Sequence, residues 1–242
     1  MMDAYTHLDV TASNPISDFK ARMASAGIDR ALIVETWKGD NYSYLQSLVA
    51  ATSLQFRAVP CFRPAVGLPP IDLLEHDIVV GVRAKTADLN RLGDLAAFLE
   101  SSGMWLVPHA EQGIGFLAAE LINLAGRYPQ LRVYLPHCAW PRRDKQDDKD
   151  WAKSITSLSR LPNLVVGISA IAHFSRATFP HNDIQPFVTR LIQAFGPDSV
   201  VVGSDYPMLE KTLYSDYVNL AQEWIRQEDP KWSPRFESLI FG

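Results

Sequence analysis

The chain has 242 residues, 47% of them hydrophobic, with a formal charge of −4 and a pI near 5.9. That apolar content supports a sizeable core, and the acidic balance gives no electrostatic case for a nucleic-acid partner. No stretch approaches the roughly 18 uninterrupted apolar residues of a membrane span, and two cysteines, Cys61 and Cys138, are too few for a disulfide framework.

The opening residues lack a basic stretch followed by an apolar run, so no signal peptide is expected and a cytoplasmic location is the expectation. Short apolar runs then alternate with longer amphipathic stretches, the pattern of βα units around a parallel sheet. Eight runs read as strands: Asp3–Leu8, Ala31–Glu35, Ala58–Phe62, Ile78–Ala84, Met104–His109, Arg132–His137, Leu164–Ser169 and Ser199–Ser204. Between them, Phe116, Leu117, Ala119, Leu121, Ile122 and Leu124 have helical spacing, closed by Gly126 and Pro129. A second helix is predicted from Asp183 through Phe187, Leu191 and Phe195 to Gly196. The third unit is crowded by prolines, so Arg63–Pro70 reads as an irregular loop and Ile71–Glu75 as a short helix. No linker or compositional break divides the chain. Residues 1–242 are therefore expected to form a single (β/α)₈ TIM barrel. A doubly wound open sheet is the alternative, but no G-x-G-x-x-G follows the first strand.

In a parallel barrel, catalytic groups sit at the carboxyl ends of the strands. The first predicted strand carries Tyr5 and His7, two apart and so on one face. The fifth ends at His109, the sixth at His137, and the eighth runs into Asp205; Arg83 lies near the end of the fourth. A lone histidine at a strand end is more often a hydrogen-bonded structural group than a ligand. Three of them with an aspartate, all at one end of one barrel, favour a site. His76 precedes a strand, and His173 and His181 fall in the long seventh loop, where solvated histidines are the default.

Asp3-Ala4-Tyr5-Thr6-His7, Gly27–Ala31, Leu135–Pro141 and Phe195–Asp198 are joined by the more specific Gly203-Ser204-Asp205-Tyr206-Pro207. Together, in this order, they resemble the amidohydrolase-related family of metal-dependent hydrolases and metal-free lactonases. The resemblance implies a (β/α)₈ barrel with hydrolytic or decarboxylating chemistry on small carboxylated or cyclic substrates. It implies that His7, His109 and Asp205 could hold a divalent metal, zinc or manganese, with His137 orienting water or substrate and Asp205 as general base. Tyr5, however, stands where the family's metal-using members carry the first histidine of H-x-H. A neutral tyrosine is a poor zinc ligand, so either no metal or one weakly held is expected.

The metal-free reading makes the chain a hydrolase of a small cyclic ester, with Asp205 deprotonating water. His7, His109, His137 and Arg83 then polarise or bind the substrate, and Tyr5 donates to the carbonyl or fills the space of the missing metal. Gly81-Val82-Arg83 resembles the fourth-strand motif of those lactonases, though Arg83 could equally form a salt bridge in the barrel mouth. Arg63, Lys85 and Arg142 are further anion-binding candidates, and Trp140, with Trp37 and Phe62, a pocket wall or loop packing. The alternatives are a metal-dependent amidohydrolase or decarboxylase, and a barrel that only binds a ligand. A small-molecule substrate is the expected partner. Barrels of this size often form dimers, so a homodimer is also an expectation.

Overall fold

The computed structural model describes residues 1–8, 15–37, 55–64, 74–141, 149–208, 213–233 and 236–241. Eight strands appear where the apolar runs placed them: β1 (Met2–Thr6), β2 (Arg30–Val34), β3 (Phe56–Val59), β4 (Gly81–Lys85), β5 (Trp105–His109), β6 (Arg132–Leu135), β7 (Leu164–Ile168) and β8 (Val200–Val202). Each is shifted or trimmed relative to its predicted run. His7 and His137 therefore sit just beyond strand ends rather than inside them, and Asp205 follows β8 as expected, three residues past its end. The predicted short helix over Ile71–Glu75 and the residue Arg142 lie, in whole or part, outside the described residues.

The strands are parallel and form two ladders, β1-β2-β3 and β4-β5-β6-β7-β8. Backbone hydrogen bonds cross both seams between them. At one, Val80 donates to Ala58 (3.1 Å) and Arg83 to Pro60 (2.8 Å); at the other, Asp205 donates to Tyr5 (2.9 Å) and His7 to Tyr206 (2.7 Å). The second seam has a side-chain clip as well. The buried Asp3 carboxylate accepts from the backbone of Ser204 (2.8 Å), its hydroxyl (2.6 Å) and the Tyr214 hydroxyl (2.9 Å). Gly203 makes this seam close, because a Cβ there would lie 2.6 Å from that of Tyr5. The result is the (β/α)₈ barrel.

Alternation along the strands divides the apolar residues into two layers. Met2, Leu32, Val34, Val107 and Tyr134 fill the interior, and Phe236 and Ile240 of the last helix pack against them. Ile33, Leu106, Val133 and Val166 face outward against the helices. These are α1 (Pro15–Ser25), α2 (Asp94–Ser101), α3 (Ile114–Arg127), α4 (Lys149–Leu158), α5 (Ile171–Phe174), α6 (Gln185–Phe195), α7 (Tyr214–Glu228) and α8 (Phe236–Phe241) among the described residues. In α3 the buried stripe is Ile114, Leu117, Ala118, Leu121 and Leu124. Phe116 and Ile122, expected on that stripe, are exposed, whereas Leu117, Leu121 and Leu124 are buried as predicted, and the helix runs through Gly126. No described helix is long and apolar enough to cross a membrane.

Candidate active site

The carboxyl ends of the strands and the turns after them bring the polar residues to one mouth of the barrel. They surround a cavity of about 550 Å³ lined by His7, Arg83, His109, His137, Trp140 and Asp205, with Glu111, His173, Phe174 and Met208 at its rim. A hollow of about 260 Å³ at the opposite end, against Met2, Val201 and Phe236, contains none of the histidines.

The backbone is contorted where it presents these groups. His137, Cys138, Ala139 and Trp140 are successive left-handed residues with φ of 60°, 50°, 57° and 52°, and Asp205 has φ 60°. None is glycine, so each conformation costs about 1–2 kcal/mol. Such strain persists where the surrounding fold over-determines it, commonly at functional sites. The turn at His137 sets Trp140 edge-on to both His137 and His109, with ring centroids 5.5 and 6.1 Å away.

Hydrogen bonds differentiate the three central histidines. His7 Nδ1 lies 2.5 Å from the Val34 carbonyl, which only accepts, so Nδ1 carries a proton. Its Nε2 faces Asp205 Oδ1 at 3.4 Å. His109 is the reverse: Arg83 Nη2 approaches its Nδ1 at 3.2 Å, and a guanidinium only donates, so Nδ1 is the acceptor and Nε2 bears the proton. Arg83 is fixed by a second bond from Nη1 to the Glu35 carbonyl (2.8 Å) and lies 5.2 Å from the Trp37 ring. Burial, reinforced by Arg83, pushes the His109 pKa down to about 4. Burial pushes that of His137 down to about 3. Both rings are neutral at pH 7. Burial works against the Asp205 carboxylate too, but His137, the His7 contact and Arg83 outweigh it and hold its pKa below the ordinary value. The mouth thus pairs an ionised carboxylate with neutral imidazoles.

Two expected participants are elsewhere. Tyr5 is fully buried under the site, its ring edge-on to those of His7 and His137 (5.2 and 4.5 Å), and it is not among the cavity-lining residues. Its hydroxyl has no hydrogen-bond partner among the described residues, and burial raises its pKa, so it stays protonated. Arg63 pairs instead with Glu35 (2.8 Å) and donates to the carbonyls of Thr36 and Trp37. It ties down the second loop, and Glu35 also accepts from the Cys61 backbone (2.6 Å). Lys85 forms a rim ion pair with Glu111 (2.6 Å). Phe62 packs in the outer core. His173 is exposed at the rim, whereas His181, expected in solvent, is buried, with Nδ1 donating to Ala177 O (3.0 Å).

The ligand set implied for a metal, His7, His109 and Asp205, does not fit one here. Among the described residues no three His, Cys, Asp or Glu side chains are placed to hold an ion. Nδ1 of His109 is taken by a cation, its Nε2 is protonated, and the first H-x-H position holds a protonated tyrosine. A catalytic zinc needs three protein donors with free lone pairs.

A parallel barrel whose C-terminal mouth gathers histidines, an arginine and an aspartate around one cavity has the layout of a hydrolytic centre. Residues 48–231 match the amidohydrolase family model, and the chain belongs to that family. It is 30% identical over 91 residues to L-fucono-1,5-lactonase of Burkholderia ambifaria, covering 36% of this chain and 30% of that protein. The chain spans about a third of the length of the curated relatives it matches. Its fold is similar to a zinc-bound amidohydrolase of Burkholderia multivorans, with TM-score 0.78, 15% identity, and coverage of 100% of this chain and 95% of that one. It is also similar to a probable 2-pyrone-4,6-dicarboxylic acid hydrolase of Acinetobacter baumannii with citric acid bound, with TM-score 0.77, 16% identity, and coverage of 99% and 98%.

Proposed function

We propose that this amidohydrolase-family chain hydrolyses a small cyclic ester without a metal, using Asp205 as general base. The observation that carries the reading is the buried Asp205 carboxylate at the cavity mouth, held below its ordinary pKa with Nε2 of His7 3.4 Å away. Asp205 can accept a hydrogen bond from one water and take its proton, leaving an oxygen lone pair free for attack, while His7 beside it holds the carboxylate in place. The water oxygen bonds to the lactone carbonyl carbon as Asp205 takes a proton. The Nε2–H groups of neutral His109 and His137 stabilise the resulting oxyanion. When the ring C–O bond breaks, the proton on Asp205 passes to the departing alkoxide, and the product is a hydroxy acid.

Arg83 supplies fixed positive charge beside the developing oxyanion and carries no proton through the reaction. The similarity to a lactonase and to a pyrone hydrolase supports a cyclic ester over an amide. Small substrate, single-domain organisation and cytoplasmic location belong to the same proposal.

The test is a panel of sugar and aromatic lactones assayed with metal-analysed protein purified without chelator. Turnover with zinc and manganese well below one per chain is the expected result. Stoichiometric metal whose removal abolishes activity would overturn the metal-free mechanism, and inertness towards every lactone would sink the lactonase reading.

A further inference from the structure

Ser169 lies one residue past β7 and is completely buried, beside the left-handed turn that begins at His137. Its Oγ is 2.9 Å from the backbone nitrogen of His137 and 3.0 Å from that residue's Nδ1. The backbone N–H only donates, so the serine oxygen accepts from it. The hydroxyl hydrogen then needs an acceptor, since the group is shut off from water. Among the described residues, His137 Nδ1 is the one acceptor in hydrogen-bond reach of that hydroxyl. If Nδ1 held the imidazole proton instead, Oγ would accept twice and its own hydrogen would be buried without a partner.

We infer that Ser169 is a positioning residue that locks His137 as the Nε2–H tautomer, so that the ring offers the cavity a donor rather than a lone pair. Nε2 sits on the ring edge opposite the serine, and His137 lines the cavity. The same logic gives His109 a donor nitrogen, through Arg83, and fixes a proton on Nδ1 of His7, through the Val34 carbonyl. His109 and His137 therefore both present an N–H donor for a carbonyl oxygen, and His7 stands beside the base. With the opposite tautomer, His137 would set a lone pair against the substrate oxygen and compete with Asp205 for the proton of water. The tautomer assignment stands on hydrogen bonding alone; its catalytic consequence rests on the proposed hydrolase reading.

Two-bond ¹H–¹⁵N correlation spectra of the histidines at pH 7 read the tautomer directly, with the His137 signals assigned by their loss in His137→Gln. The expected wild-type pattern has Nε2 protonated and Nδ1 bare. Ser169→Ala should move His137 to the Nδ1–H form or to an exchanging average. Its kcat on whichever lactone the wild type turns over should fall by about 10²-fold, the scale of losing one preorganised oxyanion donor, with little change in KM. Ser169→Thr, which keeps the hydroxyl, should restore the wild-type spectrum and most of kcat. A merely structural serine would lower stability without moving the ring nitrogens. An Nδ1–H His137 in the wild type, a measurement that needs no variant to fold, overturns the inference. So does an unchanged Nε2–H pattern in Ser169→Ala. A protein with the expected tautomer that hydrolyses no lactone would instead defeat the hydrolase reading and leave the assignment of Ser169 supported.

Discussion

Arg83 donates from Nη2 to Nδ1 of His109 across 3.2 Å while Nη1 holds the Glu35 carbonyl at 2.8 Å. This fork turns a residue expected to ligate a metal into a neutral hydrogen-bond donor. A lysine has one point charge and cannot span both acceptors. Arg83→Lys and Arg83→Met should therefore both lower kcat/KM by about 10²-fold, the scale of losing one preorganised oxyanion donor. Removing the cation should also raise the His109 pKa above its value of about 4, since Arg83 adds to the effect of burial. An NMR titration of His109 in Arg83→Met checks this; an unmoved pKa would show that the contact does not govern the ring.

Asp205→Asn is the direct probe of the base. Asparagine tolerates the left-handed φ of 60° better than alanine does, so the turn should survive. The amide cannot take a proton from water, and kcat should fall by about 10²–10⁴-fold while the thermal midpoint stays within a few degrees. Steady-state kinetics with a matched melting curve separate the chemical effect from unfolding. Activity that survives intact would remove Asp205 from this role.

The strand-end residues were legible because two rules, alternation along strands and chemistry at their carboxyl ends, both act locally. His7, Arg83, His109, His137 and Asp205 do meet around one cavity. Arg63 obeys the same positional rule yet is consumed by Glu35, a residue 28 positions away whose approach no local pattern encodes. Ser169 was missed for the same reason, since its meaning is a contact to His137 in the turn after the neighbouring strand. A polar residue just beyond β7 was the only available signal. Phe116 and Ile122 show the helical counterpart: spacing defines an apolar arc, but the packing partner decides which side of it is covered.

Tyr5 carries a fully buried hydroxyl that finds no hydrogen-bond partner among the described residues. Burying such a group unsatisfied costs roughly 1–3 kcal/mol. Tyr5→Phe keeps the ring packed against His7 and His137 and removes only the orphaned oxygen. Stability to urea should rise by about 1 kcal/mol, and kcat should hold within about threefold, because the hydroxyl lies outside the cavity lining. A large fall in kcat without loss of stability would return Tyr5 to the chemistry.

Asp3 has the opposite problem, four donors and no cation paired with it among the described residues. Burial raises its pKa from 3.8 to about 6, against the pull of hydrogen bonds from Ser204, Tyr214 and the Tyr5 backbone. The folded protein therefore binds this proton more tightly than the unfolded chain does. The contribution of Asp3 to stability is greatest below about pH 4, declines as pH rises to about 6, and is flat above that. A shift of this size corresponds to about 3 kcal/mol between the two ends of the window. Asp205 and other carboxylates with lowered pKa run the other way, so the measurement must be a difference between variants. In Asp3→Asn the hydroxyls of Ser204 and Tyr214 can turn to accept from the amide, and nothing titrates. The free-energy gap between wild type and this variant should move in favour of the wild type on acidification from pH 7 to pH 4. Urea melts at intervals across that range test it, and a gap independent of pH would mean that the carboxylate clipping β8 to β1 keeps an ordinary pKa.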